Sequence, residues 1–413
     1  MLLFGTISFS TVNSADQPKV EWKKTFGGDD KESAYQIIQT DDGGYLVIGD
    51  TESYGAGKED FWILKLSAKG SVEWNKTFGE EGYEVPDYAI QTTDGGYAVV
   101  GHTTSYSNGL KDGWIVKIDS DGDLEWDRHY GGSNNEVFHF IDQTKNGDYI
   151  VLGYTSSFGN QDNMWYLKLY KNGEIDQNKT FGREFGGFND ATKTKGDGYI
   201  LTGWYEKEGD DTYNSYLIKI DTSGEVEWTK IYSDSSDYLA TSVIQTSNNG
   251  YAIAGRVKSS ENDEDNFMLM KTDESGKKKW TRSLGGDKTD KAWDLTQTDD
   301  GDYVIVGMTY SFDADPYTDL LLIKTDSSGQ EIWNQTFGGE KGDCGYSIIE
   351  TDDGNLMTAG RTRYHSDYYI LKFKDDSIDN EDDDQNTSDT PFTTSIMFFI
   401  ITIFISIIMM KRK

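Results

Sequence analysis

Short apolar runs, separated by turns rich in Gly, Asp and Asn, recur along the chain in a fixed order. Near the N-terminus Ala34–Thr40 is followed by the turn Asp41–Gly44, then by Tyr45–Thr51, Phe61–Leu66 and the half-polar Val72–Phe78. Each run is too short for a helix and rich in β-branched and aromatic residues, so each predicts a strand. The turns need left-handed backbone angles, which Gly, Asn and Asp accept at low steric cost. Four strands, here a to d in chain order, make one unit.

The unit repeats seven times. A Trp slot recurs at Trp22, Trp74, Trp126, Gln177, Trp228, Trp280 and Trp333, at intervals of 51 to 53 residues. A second landmark, Gln-Thr followed by a turn and an aromatic, falls at Gln39–Tyr45, Gln91–Tyr97, Gln143–Tyr149, Lys193–Tyr199, Gln245–Tyr251, Gln297–Tyr303 and Glu350–Leu356. A third, an acid or amide before an apolar run ending in Lys, falls at Asp60–Lys65, Asp112–Lys117, Asp162–Lys168, Asn214–Lys219, Asp265–Lys271, Asp319–Lys324 and Asp367–Lys372.

A four-stranded unit of about fifty residues repeated in one register is the period of a β-propeller blade. The ends agree with that reading. The seventh unit stops after strand c, at Tyr368–Phe373, while the chain begins with an orphan strand d, Val20–Phe26. Pairing the orphan with the last unit completes seven blades and closes the ring. The expected fold class is all-β, a seven-bladed β-propeller of four-stranded blades over residues 16–374, with a C-terminal transmembrane helix beyond it.

Composition adds to this picture. Gly (45), Tyr (26) and Trp (11) are abundant and Pro (4) is scarce, which suits many short strands joined by tight turns. A net charge of −33 argues against nucleic acid or an anionic membrane surface as partner, since both need a basic footprint. The single cysteine, Cys344, excludes an internal disulfide and a CxxC metal knuckle.

The ends differ in character from the repeats. Residues 1–15 hold an apolar run and then small residues, and read as a signal peptide shortened at its basic end, with a disordered N-terminus as the alternative. Residues 375–391 are acidic and lack apolar periodicity, as in a solvated stalk. Phe392–Met410 is almost purely apolar and long enough to span a bilayer, and Lys411, Arg412 and Lys413 would hold its cytoplasmic side. The expected location is the cell membrane, single-pass, with the propeller extracellular.

The units WNQTFGG (Trp333–Gly339) with SIIETDDG (Ser347–Gly354), and AYQIIQTDDGGYLVIGDT (Ala34–Thr51), resemble the bacterial and archaeal seven-bladed propeller repeats of surface proteins known as SBBP-type repeats. The turns at Asp119–Trp126, Asp221–Trp228 and Asp326–Trp333 are similar to the tryptophan-docking repeat of quinoprotein-like propellers. The resemblance implies a fold and an exported location, and no activity. Unit four departs from it at Gln177, Lys193 and Asn214, as a looser blade or one adapted to a contact.

Candidate chemistry lies where the copies disagree. Strand a is nearest the axis of a propeller, and the place of Tyr35 is filled in turn by Asp87, His139, Asn189, Thr241, Trp293 and Tyr346. The next place runs Gln36, Tyr88, Phe140, Asp190, Ser242, Asp294 and Ser347. Scatter of this kind suits a surface read by an asymmetric ligand, or solvated positions free to drift. The b–c loops carry an aromatic at Tyr54, Tyr106, Phe158, Phe312 and Tyr364, either a rim for sugar stacking and partner anchoring or a staple that closes each loop. Asp119-Ser-Asp121-Gly-Asp123 has alternating oxygens but too few donors for calcium and reads as a hairpin turn. The four histidines form no metal spacing, and neither cofactor nor metal is expected. These features predict a non-catalytic binding module for a surface protein or a polysaccharide. The alternatives are a carbohydrate-active hydrolase or lyase using Asp87, Asp190, Asp294 and His139, or a structural component of the cell surface.

Overall fold

The computed structural model describes residues 17–374, apart from the loop segments 108–109, 159–162, 183–186, 207–212, 234–236, 259–263, 313–316, 340–341 and 363–365. The expected signal peptide, acidic stalk, membrane helix and tail, together with Asp162, Tyr364 and His365, lie outside the described residues. Among the described residues no helix is long and apolar enough to cross a membrane.

Seven four-stranded antiparallel sheets form the blades, each with its strands in the order a-b-c-d. The seventh is built as the chain ends predict: Lys19–Phe26 pairs with Asp367–Lys374, with Trp22 opposite Lys372 and Phe26 opposite Tyr368. The a strands begin earlier than the sequence pattern suggests, as in Glu32–Gln39, because a buried acid there belongs to the ladder.

Strands b and c are buried along their whole length, as in Tyr45–Thr51 and Asp60–Leu66, whereas strand d, Val72–Phe78, keeps one side wet. Alternate residues of each buried strand serve different neighbours. Leu46 and Ile48 pack with Val99 and Trp114 of blade two, while Tyr45 and Val47 pack with Met357 and Ile370 of blade seven. Each fully buried Leu, Ile or Val contributes roughly 1.5–3 kcal/mol. Among the described residues each core cluster therefore lies between two neighbouring blades.

The three sequence landmarks are clamps between and within blades. The strand-a Gln accepts a backbone N–H from the a–b turn of the preceding blade: Gln91 from Asp41, Gln143 from Thr93, Gln245 from Lys195 and Gln297 from Ser247, with Glu350 serving Asp299. Gln39 serves Asp352 and so links the last blade to the first. The strand-c Lys is buried and reaches the acid of its own a–b turn, as in Lys65 to Asp42 at 2.8 Å and Lys117 to Asp94 at 3.2 Å. The strand-d Trp docks on the c–d turn of the next blade, where Trp74 donates to the carbonyl of Ser120 at 3.1 Å. Its ring fills the space that a Cβ on Gly122 (φ 79°) would need.

Blade three solves the same problem differently where Gln177 replaces Trp. Tyr166 of strand c reaches into the vacated place, donates to the carbonyl of Thr222 at 2.7 Å and lies against Gly224. Lys193, in the Gln slot, pairs with Asp142 of blade three at 2.7 Å. Two of the departures of unit four, at Gln177 and Lys193, thus meet replacement contacts at the junction between blades three and four.

Candidate functional site: the central cavity

The seven a strands surround a cavity of about 720 Å³. Every a strand carries a β-bulge at one place, at Tyr35, Asp87, His139, Asn189, Thr241, Trp293 and Tyr346. A bulge inserts an unpaired residue and re-aims its side chain. All seven of these residues line the cavity, so a highly variable column of the repeat is turned onto the axis.

The column sorts its chemistry around the ring. Trp293, Tyr346 and Tyr35 form an arc, with ring centroids 5.8 Å and 5.7 Å apart. In the next two blades round the ring, His139 Nδ1 lies 2.8 Å from Asp87 Oδ2. Burial raises the Asp87 carboxyl, but the neighbouring imidazole outweighs it and holds the group below the usual carboxylate range. Asn189 and Thr241 donate to the carbonyls of Ala240 and Ala292 in the next blade.

The neighbouring column is not solvated drift. Gln36 accepts the N–H of Ala89, Asp190 that of Val243, Asp294 that of Ile348 and Ser347 that of Ile37. These N–H groups lie on the inner edge of the sheets, where pairing ends, and the side chain of the preceding blade satisfies them. Ser242 bridges two of the carboxylates, with its Oγ 3.0 Å from Asp190 Oδ2 and 2.9 Å from Asp294 Oδ1. Burial, and then the charge of Asp294, pushes the Asp190 carboxyl up to about 7. Asp294 is also raised by burial.

A further column, in strand b after the conserved-in-repeat Gly, escaped the sequence reading: Asp50, His102, Tyr154, Trp204, Arg256, Met308 and Arg361. It scatters as widely as the bulge column, and that scatter was the available signal. Three of its members back the bulge residues of their own blades, and Trp204 lines the cavity itself. Asp50 hydrogen-bonds Tyr35, Tyr154 stacks on His139 at 5.8 Å, and Arg361 lies over the Tyr346 ring at 5.7 Å. Burial pushes the Asp50 carboxyl up to about 7 and the His102 imidazole down to about 3.

The rim aromatics do not join this cavity. Tyr54, Tyr106, Phe158 and Phe312 are exposed, and three of them pack on the strand-c Trp of their own blades: Tyr54 on Trp62, Tyr106 on Trp114 and Phe158 on Trp165. Tyr54 also donates to the carbonyl of Gly27 at 2.8 Å, which ties two loops together. Phe312 takes a left-handed φ of 51° beside Gly286. The geometry is that of a staple. Asp119 likewise caps its own hairpin, accepting the N–H groups of Asp121 and Asp123.

No family model matches the chain, and no curated protein does. Solved structures do match, at the level of fold. A protein of unknown function from Dyadobacter fermentans is 9% identical with a TM-score of 0.51, over 86% of this chain and 98% of its own. YCF48 bound to D1 peptide is 10% identical with a TM-score of 0.51, over 88% and 99%. Drosophila Plexin A in complex with Semaphorin 1b is 9% identical with a TM-score of 0.50, over 87% of both chains. The chain is similar to these as a seven-bladed propeller.

Proposed function

We propose that this chain is a non-catalytic binding module, held outside the cell by the apolar segment 392–410, whose central cavity receives part of a partner protein. The observation that carries the reading is the bulge repeated in all seven a strands, which turns a chemically different residue from each blade onto one cavity. In a repeat whose buried strand-b and strand-c positions keep their kind, this column gives an asymmetric surface, which is what a specific ligand requires. The similar structures of YCF48 and Plexin A hold a peptide and a protein partner. Against the hydrolase reading, Asp190 and Asp294 spend oxygens on backbone N–H groups of the next blade.

The test is a photo-crosslinking residue placed at Thr241 in the cavity or at Lys230 on an outer strand of the full-length chain, in intact cells. A protein captured from Thr241 and not from Lys230 is expected. Equal capture from both, or binding to a glycan array that blocks the capture, rejects a cavity for proteins. Protease added to intact cells should release the propeller; full protection rejects the extracellular placement.

A further inference from the structure

We propose that the group received by the cavity is a cation, the ammonium or guanidinium of a lysine or arginine side chain on the partner, laid on the Trp293–Tyr346–Tyr35 arc and facing Asp190 and Asp294. This deepens the binding-module reading and rests on it.

Three observations support it. Among the described residues the lining of the cavity contains the carboxylates Asp87, Asp190 and Asp294 and neither Lys nor Arg, so its charge complements a cation. A narrow cavity in a chain of net charge −33 focuses that field. The arc supplies the second part of the recognition, because aromatic faces attract ammonium and guanidinium groups. Tyr346 already shows this chemistry with Arg361 of the same chain, while Trp293 is the most exposed ring of the three, at 36%. Of the neutral polar groups at the bulges, Asn189 and Thr241 each give one proton to a backbone carbonyl of the next blade.

The third observation is the Ser242 bridge. One hydroxyl has one proton, so it can donate to Asp190 or to Asp294 but not to both at once. With both carboxylates ionised, one of the two short contacts would set two acceptors against each other. One carboxyl of the pair therefore holds a proton near neutral pH, in line with the upward displacement of Asp190. The other titratable groups facing this pair are Tyr88, with Asp142 behind it, and the Asp87–His139 pair further round the ring. An arriving cation supplies the positive charge that the proton had supplied, so binding releases the proton.

The experiment is calorimetry on the full-length chain with decapeptides carrying one Lys or Arg, each beside its Nε-acetyl-lysine or citrulline counterpart, in two pH 7 buffers of different ionisation enthalpy. The expected results are about tenfold tighter binding of the charged member of each pair, a fraction of a proton released on binding, and about fivefold weaker binding by Trp293→Phe and by Asp294→Asn. Proton release is read on the unaltered protein, so a variant that fails to fold does not blunt the test. Equal binding of charged and neutral members, or proton uptake, overturns the cation while leaving the binding module standing. Absence of peptide binding together with absence of capture from Thr241 overturns both.

Discussion

The side-chain carbonyl of Gln39 accepts the backbone N–H of Asp352 at 2.8 Å, joining the first blade to the last across 313 positions of sequence. The same bond recurs between other neighbouring blades, yet here it acts beside the pairing of Lys19–Phe26 with Asp367–Lys374, where the ring is closed without a covalent link. Gln39→Ala removes the acceptor from the junction between blades seven and one, which the chain itself crosses only once, between Phe26 and Glu32. It should cost about 1 kcal/mol, visible as a lower urea midpoint. A midpoint equal to that of wild type would show that the clamp contributes nothing.

Adjacent glycines should behave oppositely. A Cβ on Gly338 would overlap the carboxyl of Asp319 and crowd that of Asp343, whereas one on Gly339 meets nothing within 4 Å. Gly338→Ala should therefore destabilise by about 2 kcal/mol or more, and Gly339→Ala should change stability by less than about 0.5 kcal/mol. Thermal unfolding of the two variants side by side decides it.

The place that Tyr166 fills for the missing Trp can be exchanged. Tyr166→Ile removes the ring from Gly224 and the bond to Thr222, and should cost about 2–4 kcal/mol. Adding Gln177→Trp, which restores the residue found at Trp74 and Trp126, should recover part of that loss. A double variant no more stable than Tyr166→Ile alone would show that the two places are not equivalent.

The Asp190 carboxyl gives a pH signature of definite sign. Its folded value of about 7 lies above the ordinary 3.8, so between these limits the folded state keeps a proton that the unfolded state has lost. Stability from this group then falls as pH rises from about 4 to about 7, and the penalty stays in full above that. Asp190→Asn, which mimics the protonated form, should melt close to wild type at pH 4 and higher than wild type at pH 8. A difference that does not change with pH would place the proton elsewhere.

Lys271 carries the mirror-image case. Five blades set an acid opposite the strand-c Lys, as Glu73 does for Lys65 and Glu125 for Lys117, and blade six has Ile332 there, but blade five has Lys279 at that place. Burial, aided by the charge of Lys279, lowers the Lys271 ammonium to about 8. Between about pH 8 and the ordinary 10.5 the unfolded state binds more protons, so this group makes stability rise with pH. Lys279→Glu should raise stability at pH 7 and flatten that rise. A variant less stable than wild type at pH 7 would show that the Lys279–Asp273 pair outweighs the repulsion.

The repeat fixed the architecture because blade geometry is written in local terms. Strand length, turn residues and burial on both faces recur at every Trp, Gln and Lys slot, and the split of the last blade was legible from the orphan Val20–Phe26 alone. What those slots do needed the tertiary structure, because Gln39 and Asp352, or Tyr166 and Thr222, meet only when blades stand side by side. The bulge column was visible as scatter at Tyr35, Asp87 and His139, but the sequence could not say which way these side chains point. Only the register slip in each a strand turns them to the axis. The support of that column by Asp50, Tyr154 and Arg361 stayed hidden for the same reason: a residue's neighbours across a ladder are set by register. Likewise the roles of Asp190, Ser242 and Asp294 come from three blades converging on one axis, where their spacing puts one hydroxyl within reach of both carboxyl groups.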